Sequence, residues 1–162
     1  PRDYVKQQEI ELVLSEMAEQ VAIRLRAIRK KTTTVSISIG YSRFEESTSF
    51  RGQMKIEPTN QTEELQKYVI SLFRKKYNGG AVRSISVFYS SFVDENITML
   101  SLFDDPEEIL KKERLQTAID TIRSQFGFTT LQKANSLTSA SRSIARSKLV
   151  GGHSAGGLDG LK

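Results

Sequence analysis

Thr34-Val35-Ser36-Ile37-Ser38-Ile39-Gly40-Tyr41 alternates an apolar residue with a small polar one along its whole length. Successive side chains leave a strand on opposite sides, so a period of two marks a strand with one buried face. Val35, Ile37, Ile39 and Tyr41 form the apolar face, and Thr34, Ser36, Ser38 and Gly40 the other. After the turn-like Glu45-Glu46-Ser47-Thr48, Phe50, Gly52, Met54 and Ile56 alternate with Ser49, Arg51, Gln53 and Lys55. Two such runs joined by a short polar loop read as an antiparallel hairpin.

Helices are predicted on either side of this hairpin. Upstream, Ile10, Val13, Leu14, Met17, Val21, Leu25 and Ile28 recur at spacings of three and four. That is the stripe of an amphipathic helix, expected to run to about Lys30. The basic Arg26, Arg29, Lys30 and Lys31 suit its C-terminal dipole. Downstream, Pro58 is expected to end the second strand, and Asn60 with Glu63 to cap a helix. Leu65, Val69, Leu72 and Phe73 give that helix its buried stripe, and Asn78-Gly79-Gly80 stops it. A third strand is predicted from Val82 to Phe92, with Ile85, Val87 and Tyr89 inward and Ser84, Ser86, Phe88 and Ser90 outward.

The fold class expected is therefore α+β. One more strand before the first helix would complete a split β-α-β-β-α-β unit of ferredoxin-like kind, two helices covering one sheet face and leaving the other open. Pro1 to Val5 would supply that strand in truncated form. Four regions follow: a domain over 1–94, a linker over 95–105, an amphipathic helix over 106–126 and a flexible basic tail over 127–162. Asp105 as N-cap, Pro106 at the first helical position and Glu108 in a capping box mark the start of the third helix. Its stripe of Leu115, Ile119, Ile122 and Phe126 is expected to pack on its own domain, the ordinary fate of such a stripe. The composition of the tail, rich in Ser, Ala, Gly and Thr, predicts disorder.

Charge and composition narrow the chemistry. The chain of 162 residues carries a net charge of +5 and no cysteine. From Gly127 onward Lys133, Arg142, Arg146, Lys148 and Lys162 face only Asp159, so the body is close to neutral. Binding to a polyanion must then rest on where charges point. Lack of cysteine removes disulfides and thiolate metal sites and fits a cytoplasmic protein. No apolar run approaches membrane-spanning length. A single histidine, His153, allows no Ser/His/Asp set, and no Gly-rich phosphate loop follows a strand. No catalytic or metal-binding residue is predicted, and the start at Pro1 reads as that of a domain cut from a longer chain.

Two features remain. The open sheet face would carry Thr34, Ser36, Ser38, Arg51, Gln53, Lys55, Ser84, Ser86 and Ser90, with Arg43 and Arg83 at its rims. Small hydroxyls permit close approach and can bond phosphate oxygens, while the cations supply attraction. An ordinary solvated sheet face has the same composition, so both readings stand. Phe88 interrupts this face, as a partner contact or a single exposed aromatic; base stacking would want aromatics on the central strand, which offers Ser. The second feature is Met99-Leu100-Ser101-Leu102-Phe103, an apolar pentapeptide in the joint before the third helix. It either tucks back onto the domain or is presented to a partner.

Together these residues resemble the little-finger domain of Y-family lesion-bypass DNA polymerases, closest to the UmuC-like bacterial branch. The resemblance covers about residues 1–126. It rests on the order of elements, on Val82-Arg83-Ser84-Ile85-Ser86-Val87 after a helix closed by Asn78-Gly79-Gly80, and on Met99 to Asp105. The last is similar to the sliding-clamp peptide of UmuC-like proteins, usually Gln-Leu-x-Leu-Phe, with Met99 here in place of Gln. The resemblance implies a DNA-gripping and clamp-tethering module of SOS-type damage tolerance and DNA repair. Thr34, Ser36, Ser38, Arg43, Arg51, Gln53, Lys55, Arg83, Ser84, Ser86, Phe88 and Ser90 would line primer–template or damaged DNA. Met99, Leu100, Ser101, Leu102 and Phe103 would engage the bacterial sliding clamp. Polymerase activity and its Mg ions would belong to a catalytic palm elsewhere in the parent, leaving this stretch without cofactor or enzymatic role. The alternative is a ferredoxin-like protein-interaction or regulatory domain with no nucleic-acid role.

Overall fold

The computed structural model describes residues 3–46, 48–97, 104–150 and 153–154. Helix α1 (Gln7–Ala27) leads into strands β1 (Lys30–Tyr41) and β2 (Phe50–Thr59), helix α2 (Thr62–Lys76), strand β3 (Val82–Asp94) and helix α3 (Pro106–Phe126). The three strands form an antiparallel sheet in the order β2-β1-β3. α1 and α2 cover one face and leave the other open, the α+β arrangement expected from the sequence.

Alternation does what it predicts. Val35, Ile37 and Ile39 are buried, as are Val87 and Tyr89 opposite them. They meet Ile10, Leu14, Ala18 and Leu25 of α1 and Leu65, Val69, Leu72 and Phe73 of α2 in one core. Tyr89 donates from its hydroxyl to the Ala18 carbonyl at 3.0 Å. Burial raises this hydroxyl well above the ordinary phenol range, so it remains protonated and a donor. Gly52 lies on the same inner face, where an added Cβ would sit 3.5 Å from Ile37 and Leu72, an ordinary contact. Gly52→Ala is therefore expected to stabilise the fold by about 0.5 kcal/mol, read as a raised midpoint in thermal unfolding.

Element ends differ from expectation in three places. α1 stops at Ala27 rather than Lys30, because β3 continues to Asp94 and draws Lys30 and Lys31 into the ladder. Arg29 makes the corner with φ 54. β2 runs through Pro58 to Thr59; it is an edge strand paired only with β1, and the register shifts between Thr32 and Thr34, so no ladder bond is asked of the missing N–H. Asn60 does not cap α2. Its amide donates instead to the Lys30 carbonyl at 3.2 Å. Gln61 is the N-cap residue and makes no side-chain capping bond, while Thr59, two residues earlier, accepts from the Gln61 N–H at 3.1 Å and donates to Glu64 at 2.5 Å.

At the far end, Gly79 and Gly80 adopt φ 102 and 98 and turn the chain into β3. The truncated first strand is a single antiparallel bridge, Tyr4 N–H to Val82 O at 2.9 Å and the reverse at 2.8 Å. Asp105 caps α3 through the Glu107 N–H at 2.9 Å with Pro106 leading the helix, while Glu108 lies 3.9 Å from Lys111.

The expectation for the stripe of α3 is overturned. Leu115, Ile122 and Phe126 are exposed, and Arg123 is the buried residue of the helix. A seam of charge docks it: Arg26 grips Asp120 at 2.5 and 3.0 Å, and Arg123 reaches Glu19 at 3.0 Å. Periodicity finds a stripe but not the side that faces the protein, and here buried ion pairs took that side. The region after Gly127 also departs from a wholly flexible tail. Short helical turns form at Phe128–Thr130, which packs on α3, and at Ala134–Leu137, and a helix at Ser143–Ser147 folds back on α1. Glu16, buried in α1, accepts from Ser141 and from the Arg142 N–H, and Arg142 donates to the Tyr4 hydroxyl at 2.8 Å.

Candidate nucleic-acid interface

The ladder turns the open face into a grid. Ser36 lies between Gln53 and Phe88, Ser38 between Arg51 and Ser86, and Thr34 between Lys55 and Ser90. Gly40 stands beside Ser84 at the end of the central column. At about 4.8 Å between strands and about 6.8 Å between alternate residues, the face is roughly 10 by 14 Å. β2 supplies a cationic edge, β1 a hydroxyl column and β3 a column of serines interrupted by Phe88.

Arg51, Gln53 and Lys55 are exposed, and neither Arg51 nor Lys55 has an ion-pair partner among the described residues. Their charge is free for an external anion. Ser36, Ser38 and Ser86 are half-buried, and Ser84, Ser90 and Phe88 are exposed. A Cβ on Gly40 would fall 2.2 Å from the Ser84 hydroxyl oxygen, so the two backbones and that hydroxyl pack as closely as a glycine permits. The face is thus flat, polar and positive along one edge, shaped for a backbone of phosphates more than for a deep ligand.

Three of the expected contacts fall outside this grid. Thr34 has the right register but is only 4% exposed, its N–H donating to the Thr32 hydroxyl where the register shifts. Arg83 is the extra residue where the register shifts between Gly40 and Tyr41, exposed like Ser84 beside it, and bonds Asp3 at 2.9 Å. That bond holds the Asp3 carboxyl below its usual range, so both charges are engaged with each other. Arg43 sits in the turn after β1, exposed and 5.7 Å from the Phe44 ring, at the rim of the sheet. The pentapeptide Met99–Phe103 lies outside the described residues.

One residue escaped the sequence reading. Lys31, read as the end of a helix, is buried at the start of β1 and donates to the Ile97 carbonyl at 3.1 Å, with Glu113 of α3 at 3.9 Å. It ties the chain entering the pentapeptide to the helix leaving it. The dilysine before a β-branched run was the available signal. Among the described residues no group of His, Cys, Asp and Glu could hold a metal ion, and no helix is long and apolar enough to cross a membrane.

Comparison with known proteins adds a second line. Residues 1–102 match the impB/mucB/samB family C-terminal domain. UvrX of Bacillus subtilis (strain 168), named for UV-damage repair, is 39% identical over 153 residues, 94% of this chain. The proteins called DNA polymerase IV 2 from Bacillus subtilis and Halalkalibacterium halodurans are 37% and 34% identical, each over 94% of this chain. The chain spans only 36–37% of the length of these relatives. Sheet, helices and sequence agree: the chain belongs to the impB/mucB/samB C-terminal domain family, the C-terminal domain of Y-family DNA polymerases.

Proposed function

We propose that this domain grips primer–template or damaged DNA through the outer face of its sheet, within a lesion-bypass polymerase of UmuC-like, SOS-type damage tolerance. The observation that carries the reading is the unpaired Arg51 and Lys55 beside a column of small hydroxyls. Arg51 and Lys55 neutralise phosphates, Ser36, Ser38, Ser86 and Ser90 bond phosphate oxygens, and Gln53, Ser84 and Phe88 fill the approach. Arg43 extends the positive rim, while Thr34 and Arg83 act on the fold. Contacts of this kind position a duplex without reading its sequence. A protein-binding sheet would favour an apolar outer face, and this one is polar apart from Phe88 and Phe92 on β3. Fluorescence anisotropy with a labelled primer–template across a salt series tests the grip: affinity must fall steeply as salt rises, because phosphate contacts release counterions. Affinity indifferent to salt would refute it.

The same proposal assigns Met99-Leu100-Ser101-Leu102-Phe103 to the bacterial sliding clamp. Leu100, Leu102 and Phe103 enter an apolar groove of the clamp, and Met99 occupies the groove edge without the hydrogen bonds of a Gln. Nucleotide transfer belongs to the catalytic domains of the parent polymerase. Leu102→Ala with Phe103→Ala is expected to abolish retention of the protein on immobilised clamp while leaving DNA binding intact. Retention of the double variant at the level of the parent sequence would remove the pentapeptide from this role.

A further inference from the structure

Helix α3 is docked opposite to the usual sense of an amphipathic helix. A surface helix ordinarily turns its apolar stripe inward and its charge to water. Here Asp120 and Arg123 face the domain, and Leu115, Ile122 and Phe126 are 62%, 39% and 70% exposed. The stripe rises about 16 Å, or three turns. Beside it, Leu115, Ile119 and Leu131 enter a groove of about 370 Å³ that reaches the first turn of α2. Continuous apolar surface of this extent marks an interaction site. The ion pairs make it durable, because α3 stays in place without spending its stripe on the fold.

Charge indicates the occupant. Lys67, Lys112 and Lys133 line the groove, and none has an ion-pair partner among the described residues. Of the carboxylates there, Glu19 is paired with Arg123, which leaves Glu63 and Glu64 against the three lysines and the groove with an excess of one positive charge. We propose that α3 and this groove receive a helix of another protein whose apolar stripe is bordered by Asp and Glu. A three-turn stripe presents anchors at the spacing that a partner helix reads. A second copy of this chain would bring the same cations against one another, and like charges across an interface oppose association.

Selection of displayed helical peptides, randomised at every position, on the folded chain tests this. Enriched peptides are expected to share apolar residues at i, i+4 and i+7 with acidic neighbours. Leu115→Glu or Ile122→Glu should weaken a synthetic copy of an enriched peptide at least about tenfold. Lys112→Glu with Lys133→Glu should do the same and restore binding to a copy with Lys in place of its acids. Both apolar sites are exposed, so the unfolding midpoint should hold; Leu115→Ser serves where Leu115→Glu lowers it. Enriched peptides without acidic borders, binding that survives Leu115→Glu or Leu115→Ser, or self-association of the chain through this face in sedimentation would each overturn the proposal.

Discussion

Arg51→Ala combined with Lys55→Ala weakens binding to a primer–template duplex about tenfold near physiological salt, about 1.4 kcal/mol. The two side chains stand on one edge strand, four residues apart on one face, and neither is held by a carboxylate among the described residues. Each removed phosphate contact lowers the slope of log affinity against log salt by about one, so the slope should flatten by about two. That second reading separates phosphate contact from a general loss of positive charge. Both residues are exposed, so stability should change by no more than about 0.5 kcal/mol. Titration of the double variant that overlays the parent curve at every salt concentration would move the DNA away from this face.

Phe73→Ala is expected to cost about 3–5 kcal/mol in urea or guanidinium unfolding, a large share of the stability of a domain this size. Phe73 is fully buried and the largest such side chain in the core. Its ring stacks on Tyr77 at 4.6 Å, which in turn lies 6.4 Å from Tyr41 of β1. The Tyr77 hydroxyl donates to the Gly80 carbonyl at 2.9 Å, so this aromatic series joins the end of α2, the glycine turn and the sheet. Removing the ring leaves a cavity behind the strands that carry Arg51 and Ser38, and DNA affinity should fall with stability on heating. A loss below about 1 kcal/mol would mean that the site collapses around the void, contrary to the packing described.

What could be read from the sequence was local and periodic. The alternation of Val35, Ile37 and Ile39 with Ser36 and Ser38 carried the sheet and its two faces, and the grid of hydroxyls and cations followed from it. Asp105 and Pro106 marked α3 because capping is decided by neighbours in sequence. Interactions across long separations escaped. Arg26 and Asp120 lie 94 positions apart, and nothing in the spacing of Leu115, Ile119 and Ile122 reveals that such a pair will turn the stripe outward. The same holds for Glu16, whose bonds to Ser141 and Arg142 span more than 120 positions and fold the segment after Gly127 onto α1. The bond from Arg83 to Asp3, 80 positions away, is another contact that no local pattern announces. Pro58 shows that an edge strand tolerates a residue that would end an interior one.

Lys31 sets a limit on distance. It fixes Ile97 to the body of the domain, and the capped start of α3 fixes Asp105. The chain between these two anchors is at most about 28 Å long when drawn out, so its midpoint stands no further than about 14 Å from the domain surface. A partner that holds Leu102 and Phe103 is therefore brought close to the domain, within a span shorter than the width of a DNA duplex. Under the proposed role, a partner of the pentapeptide is held on a short lead, and its orientation relative to the sheet is restricted by how little slack the chain between Ile97 and Asp105 allows.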